Sequence, residues 1–87
     1  QKVNGHALRV RIDYDLLGKL QYAANEKGWY IDHIEYEDRV LLTLIAEKSL
    51  CEEIIENIRD ISHGKAEVSL EEEKVYFKEE NCYYIEL

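Results

Sequence analysis

The 87 residues include no proline and no methionine, and they are sparing with glycine (four), cysteine (two), tryptophan (one) and phenylalanine (one). Each shortage excludes something. Without proline, and with its glycines scattered singly, the chain has no linker-like segment and no glycine-rich phosphate loop. Cys51 and Cys82 lack the C-x-x-C spacing of a metal or redox site and read as reduced thiols. No run approaches the ~20 apolar residues of a membrane span, and "QKVNGHALRV" lacks the apolar middle and cleavage site of a signal peptide, so the expected location is cytoplasmic, with no membrane partner. With no methionine to start it, the chain is expected to be a domain of a longer protein. Positive charge is also short, with 11 basic against 19 acidic residues and a net charge of −8. Such a balance repels phosphate backbones at long range.

Catalytic patterns are scarce too. His6, His33 and His63 are scattered, and none shares a helix face with a cysteine or carboxylate at ligand spacing. The run Glu71–Glu73 reads as a solvated edge, and there is no nucleophile elbow. The expectation is a protein that is not an enzyme and carries no metal or cofactor.

What is present is a hydrophobic fraction of 46% beside a charged fraction of 34%, enough for one folded domain over residues 1–87. "ALRVRIDY" alternates, with Leu8, Val10, Ile12 and Tyr14 on one side and Arg9, Arg11 and Asp13 on the other, as in a half-buried strand. "DLLGKLQYAANEKG" has Asp15 as N-cap, Leu16, Leu20 and Ala24 at helical spacing, and Gly28 in the C′ position. Gly18 inside it marks either close packing or a late helix start. "WYIDHIEYEDRVLLTLIAEK" reads as a hairpin turning at Glu37 and Asp38, with Ile34 and Tyr36 inward. "SLCEEIIENIRDISHG" opens with Ser49 and Glu52 in capping-box spacing, carries Cys51, Ile54, Ile55, Ile58 and Ile61 on one stripe, and stops at Gly64. "KAEVSLEE" is another alternating strand, and "KVYFKEENCYYIEL" a strand pair turning at Glu80 and Asn81.

The order strand, helix, strand, strand, helix, strand predicts an α+β fold, a ferredoxin-like βαββαβ sandwich with two helices on one face of a four-stranded antiparallel sheet. Residues of about 7–70 form this core, and 72–87 form a C-terminal extension with the extra strand pair. The helix-free face then carries Arg9 and Arg11 beside Leu41, Thr43 and Ile45, with Ile31 as a further apolar member. Glu67 and Glu71 point the same way, so cross-strand Arg–Glu pairs account for the arginines without a ligand. The apolar strip needs a cover: a second domain, another copy of the chain, or the C-terminal strand pair. RNA-recognition domains share this strand order but need aromatic and basic residues on the third strand, where "RVLLTLIA" has aliphatics.

Tyr14 and Gly18 in "YDLLG", Tyr36, Val40 and Leu42 in "YEDRVLL", and Gly64 after the second helix resemble the C-terminal domain of the Impact/YigZ family, a small ferredoxin-like domain of unknown function. The resemblance spans about residues 7–70. It implies an N-terminal Impact-type domain in the parent chain, a link to control of translation, and, through similarity of this module to a C-terminal domain of elongation factor G, contact with nucleic acid or the ribosome. It implies no catalytic residues. The acidity of this chain and its tail beyond residue 72 depart from the family pattern.

The expected function is a non-catalytic accessory domain. Its interface would comprise Leu41, Thr43, Ile45, Arg9, Arg11 and Ile31, and its partner would be the Impact-type domain or a second copy in a homodimer. An RNA- or ribosome-binding module using Arg9, Arg11 and Thr43 is the first alternative, disfavoured by charge, and a small-ligand-sensing domain is the second.

Overall fold

The alternation read from residues 8–12 reflects a real division of the sheet into two faces. In a computed structural model that describes residues 1–85, Leu8, Val10 and Ile12 lie beneath the helices with almost no exposed surface, while Arg9 and Arg11 stand on the other side. The elements in order are β1 (Lys2–Ile12), a 3-10 turn (Tyr14–Leu16), α1 (Leu17–Lys27), β2 (Tyr30–Tyr36), β3 (Val40–Glu47), a second 3-10 turn (Lys48–Leu50), α2 (Cys51–Ser62), β4 (Glu67–Leu70), β5 (Lys74–Glu79) and β6 (Cys82–Tyr84). Of the expected C-terminal extension, residues 86–87 lie outside the described part.

One core fills the space between sheet and helices. Val40, Leu42, Leu44 and Ala46 of β3 join the three residues of β1, and the helices add Leu20, Cys51, Ile54 and Ile58. Burying each large aliphatic side chain here contributes about 1.5–3 kcal/mol, which makes this stripe the main source of stability.

Both helices begin one residue later than the capping residues suggest. Neither Asp15 nor Ser49 caps a helix by its side chain; each helix is instead entered through a 3-10 turn, whose tighter bonding occupies a backbone N–H otherwise left free. The backbone N–H of Leu17 reaches the Tyr14 carbonyl, and that of Cys51 reaches the Lys48 carbonyl. The Cys51 thiol also donates to the Glu47 carbonyl at 3.4 Å. This late start accounts for Gly18, which lies in the first turn of α1 with open space where a side chain would be. Gly28, at φ 72°, closes α1 in the left-handed conformation.

All strand pairs are antiparallel, and the sheet has six strands rather than four plus a separate pair. β3 lies between β2 and β1. The far edge of β1, longer at its N-terminal end than the alternation alone indicates, is shared by two partners: residues 8–11 pair with β4 and residues 2–5 with β5. Beneath the helices the strand order is therefore β4-β1-β3-β2. At the other end β5 and β6 curl back across the helix-free face, so that Tyr83 of β6 packs near Tyr30 of β2, with ring centroids 6.0 Å apart. Gly5 sits in this stretch of β1, where an added Cβ would overlap the Ala46 carbonyl oxygen of β3.

Three face assignments change. Tyr36, expected inward, is 63% exposed at the end of β2 and stacks on Tyr14 with ring centroids 6.5 Å apart. Tyr14 lies in the 3-10 turn after β1 and is half exposed, its hydroxyl donating to the Glu37 carbonyl at 2.6 Å. Ile31 does not belong to the helix-free face: a register irregularity in β2 between Ile31 and His33 puts Ile31 opposite Leu44, packed against the core under the helices. A single extra residue reverses which face a strand residue occupies, and composition does not reveal such a residue.

Candidate functional site

The helix-free face can be written out from the strand register. Ala7, Arg9 and Arg11 of β1 stand opposite Ile45, Thr43 and Leu41 of β3. β2 adds Tyr30, His33 and Glu35 beside those same three residues, and β4 adds Ser69 and Glu67 beside Arg9 and Arg11. The face has two unlike halves.

The half around Ile45 is covered by the chain itself. Ile45 packs with Tyr76 and Tyr83 of the C-terminal strand pair, and Val3 and Tyr30 close the sides of this second, smaller core. Only 7% of Ile45 and 7% of Thr43 stay exposed, and Tyr76 retains 2%. Glu47, at the end of β3, pins the cover in place: its Oε2 accepts from Lys78 Nζ at 2.7 Å and from the Tyr83 hydroxyl at 3.0 Å. The hydrogen bond from Lys78, followed by that from Tyr83, holds the Glu47 carboxyl below its ordinary range, and the same contact with Glu47 holds the Lys78 ammonium up. Burial, then the bond to Glu47, pushes the Tyr83 hydroxyl up.

The half around Leu41 is open. Leu41 is partly buried at the edge of a shallow concavity of about 300 Å³ lined by Arg9, Arg11, Glu67 and Ser69. Its arginines face carboxylates of the same chain, although the buried Arg9 Nε has no partner among the described residues. Arg9 Nη1 meets Glu71 Oε2 at 3.1 Å and Arg11 Nη1 meets Glu67 Oε1 at 4.0 Å, the cross-strand pairs expected from the alternation. Arg39, in the turn before β3, donates from Nε to Asp13 at 3.0 Å and from Nη1 to Glu67 at 2.7 Å, fastening the β2–β3 turn to the sheet. Arg9 and Arg39, committed to carboxylates in this way, have little to offer a phosphate, while Arg11, 4.0 Å from its carboxylate, is held less closely.

Between the halves, His33 Nδ1 lies 3.0 Å from Asp32 Oδ2, while its Nε2 is 3.5 Å from Thr43 Oγ1 and 3.7 Å from Glu35 Oε1. The Thr43 contact is at the outer limit of hydrogen bonding, and a carboxylate competes for the same nitrogen. That is a structural cluster rather than an activated nucleophile. Among the described residues, no group of three or more His, Cys, Asp or Glu side chains converges as metal ligands.

Of the six residues singled out from the sequence, the structure thus places Arg9, Arg11 and Leu41 together on open surface, Thr43 and Ile45 under the chain's own cover, and Ile31 on the opposite face. Sequence reasoning missed Arg39, Glu47 and Lys78. Period-two alternation along β3 extends from Leu41 to Glu47 and could have placed that carboxylate on the face; nothing local indicates where the final strand pair lands.

A family model described as a domain of unknown function (DUF1949) matches residues 10–65, more than half of the chain. The match covers α1, α2 and the strands between them and stops short of the covering pair β5–β6. No curated protein matches the chain.

Proposed function

The chain belongs to the DUF1949 family, the C-terminal domain of Impact/YigZ family proteins, and from that premise we propose that it is a non-catalytic, ferredoxin-like accessory domain of a cytoplasmic protein. It docks against the Impact-type domain of its parent chain. The contact uses the half of the helix-free face that β5 and β6 leave open, with Leu41 at the centre and Arg9 and Arg11 beside it. The observation that carries this reading is the uneven cover: the same apolar strip is sealed at Ile45 by the chain's own tyrosines and left half open at Leu41. An apolar centre ringed by paired charges of both signs suits a protein surface of mixed polarity. The internal pairing of Arg9, Arg11 and Arg39 argues against an RNA or ribosome contact at this face. No helix among the described residues is long and apolar enough to cross a membrane.

The test is a double substitution, Leu41→Lys with Arg11→Glu, in the full-length parent protein, read by cross-linking between domains. Loss of the cross-links to this face with the fold intact supports docking. Unchanged cross-links refute it, as does a gel shift with RNA that weakens steeply with salt and is abolished by the same substitutions.

A further inference from the structure

A second concavity lies at the opposite end of the sheet from Leu41, where the last turn of α1, the start of β2, the first turn of α2 and β6 meet. Its volume is about 120 Å³ and its walls include Trp29, Leu50, Ile54 and Tyr83. Lys27 of α1 and Glu53 of α2 stand at its border. Both are exposed, and neither side chain has a hydrogen-bond or ion-pair partner among the described residues. That separates them from the paired charges around Leu41: here an unmatched cation and an unmatched anion flank one apolar hollow.

We propose that this hollow binds a free α-amino acid with an apolar side chain of the size of leucine. The side chain enters among Trp29, Leu50, Ile54 and Tyr83, the ligand carboxylate meets Lys27, and the ligand ammonium meets Glu53. Size favours this class: an apolar cavity of about 150 Å³ accommodates benzene, so a hollow of about 120 Å³ takes one hydrocarbon group of about the size of the leucine side chain. Charge favours it as well. A purely apolar ligand would leave both border charges unused, an anion or a cation alone would use one of them, and a zwitterion uses both. Tyr83 belongs to the covering strand pair, so the site is complete only when β6 lies against β2.

Trp29 is the only tryptophan and lines the hollow, which gives a direct readout. Titration of the 87-residue chain with L-leucine should change Trp29 emission saturably, with a midpoint of about 1 mM for so small a ligand. Leucinamide, which lacks the carboxylate, and 4-methylpentanoate, which lacks the ammonium, should bind about tenfold more weakly, as should L-leucine to Lys27→Gln or Glu53→Gln. Glycine, a zwitterion without the apolar group, should give no response. Both substitutions are at exposed positions and leave the core untouched, and far-ultraviolet circular dichroism verifies this. A flat titration with L-leucine overturns the proposal. So does binding of either charge-deleted analogue as tight as that of L-leucine, or binding that ignores both substitutions.

Discussion

Tyr76→Ala removes the most deeply buried side chain of the second core while leaving the first untouched. Tyr76 is 2% exposed and packs against Ile45, Tyr83, Val3 and Tyr30, so its truncation opens a cavity that β5, tied to β1, cannot readily close. Truncating a buried aromatic residue costs about 3–5 kcal/mol, and the lower end, about 3 kcal/mol, suits a small cluster near the surface. For 87 residues, total stability at ~0.05–0.15 kcal/mol per residue is roughly 4–13 kcal/mol, so the loss is a large share of it. The expected fall in Tm is about 12–24 °C, at about 4–8 °C per kcal/mol for a domain of this size. Urea unfolding followed by Trp29 emission and by circular dichroism gives the difference in free energy. Val75→Ala, one residue away on the same strand but 53% exposed, is the control and should cost no more than about 0.5 kcal/mol. If Tyr76→Ala cost under about 1 kcal/mol, or no more than Val75→Ala, the covering role of the strand pair would be refuted.

Truncation after Glu71 should leave the first core folded, because none of its buried members comes from β5 or β6; exposure of Ile45 should then appear as ANS binding and concentration-dependent association in sedimentation, whereas a monomer that binds no dye would contradict the account. Gly5→Ala forces a methyl group into the Ala46 carbonyl and should cost about 1–3 kcal/mol in chemical unfolding. Glu47 is held below its ordinary 4.5, so its contribution is present above that value and disappears as pH falls through the folded-state pKa; Lys78, held above 10.5, contributes below that value and loses its share as pH rises through its own folded-state pKa. Glu47→Gln should therefore flatten the acid limb of the stability–pH curve, and superimposable acid limbs for the two proteins would show that the bond to Lys78 has no energetic weight.

The main core was legible because it depends on local periodicity. Leu8, Val10 and Ile12 alternate, Ile54 and Ile58 share a helical stripe, and both patterns persist whatever the rest of the chain does. The pairs Arg9–Glu71 and Arg11–Glu67 followed from the same alternation once β4 was set beside β1. Long-range placement was not legible in this way. That β5 would take the N-terminal half of one edge of β1, leaving β4 the other half, depends on the length of β1 and on the close approach at Gly5, which no periodic pattern encodes. The interface assignment of Ile45 suffered from that gap, because a residue on the helix-free face is open only if nothing later in the chain returns to it. Ile31 moved for a different reason: the irregularity in β2 shifts every residue before it to the other face.

The central claim is that the chain covers its own second sheet face at Ile45. Nuclear Overhauser contacts from the Ile45 methyl groups in the 87-residue chain test it most directly. The account predicts strong cross-peaks to the rings of Tyr76 and Tyr83, together with protection of those methyls from a soluble paramagnetic agent. Methyl signals that lack both cross-peaks and broaden readily with the agent would contradict it.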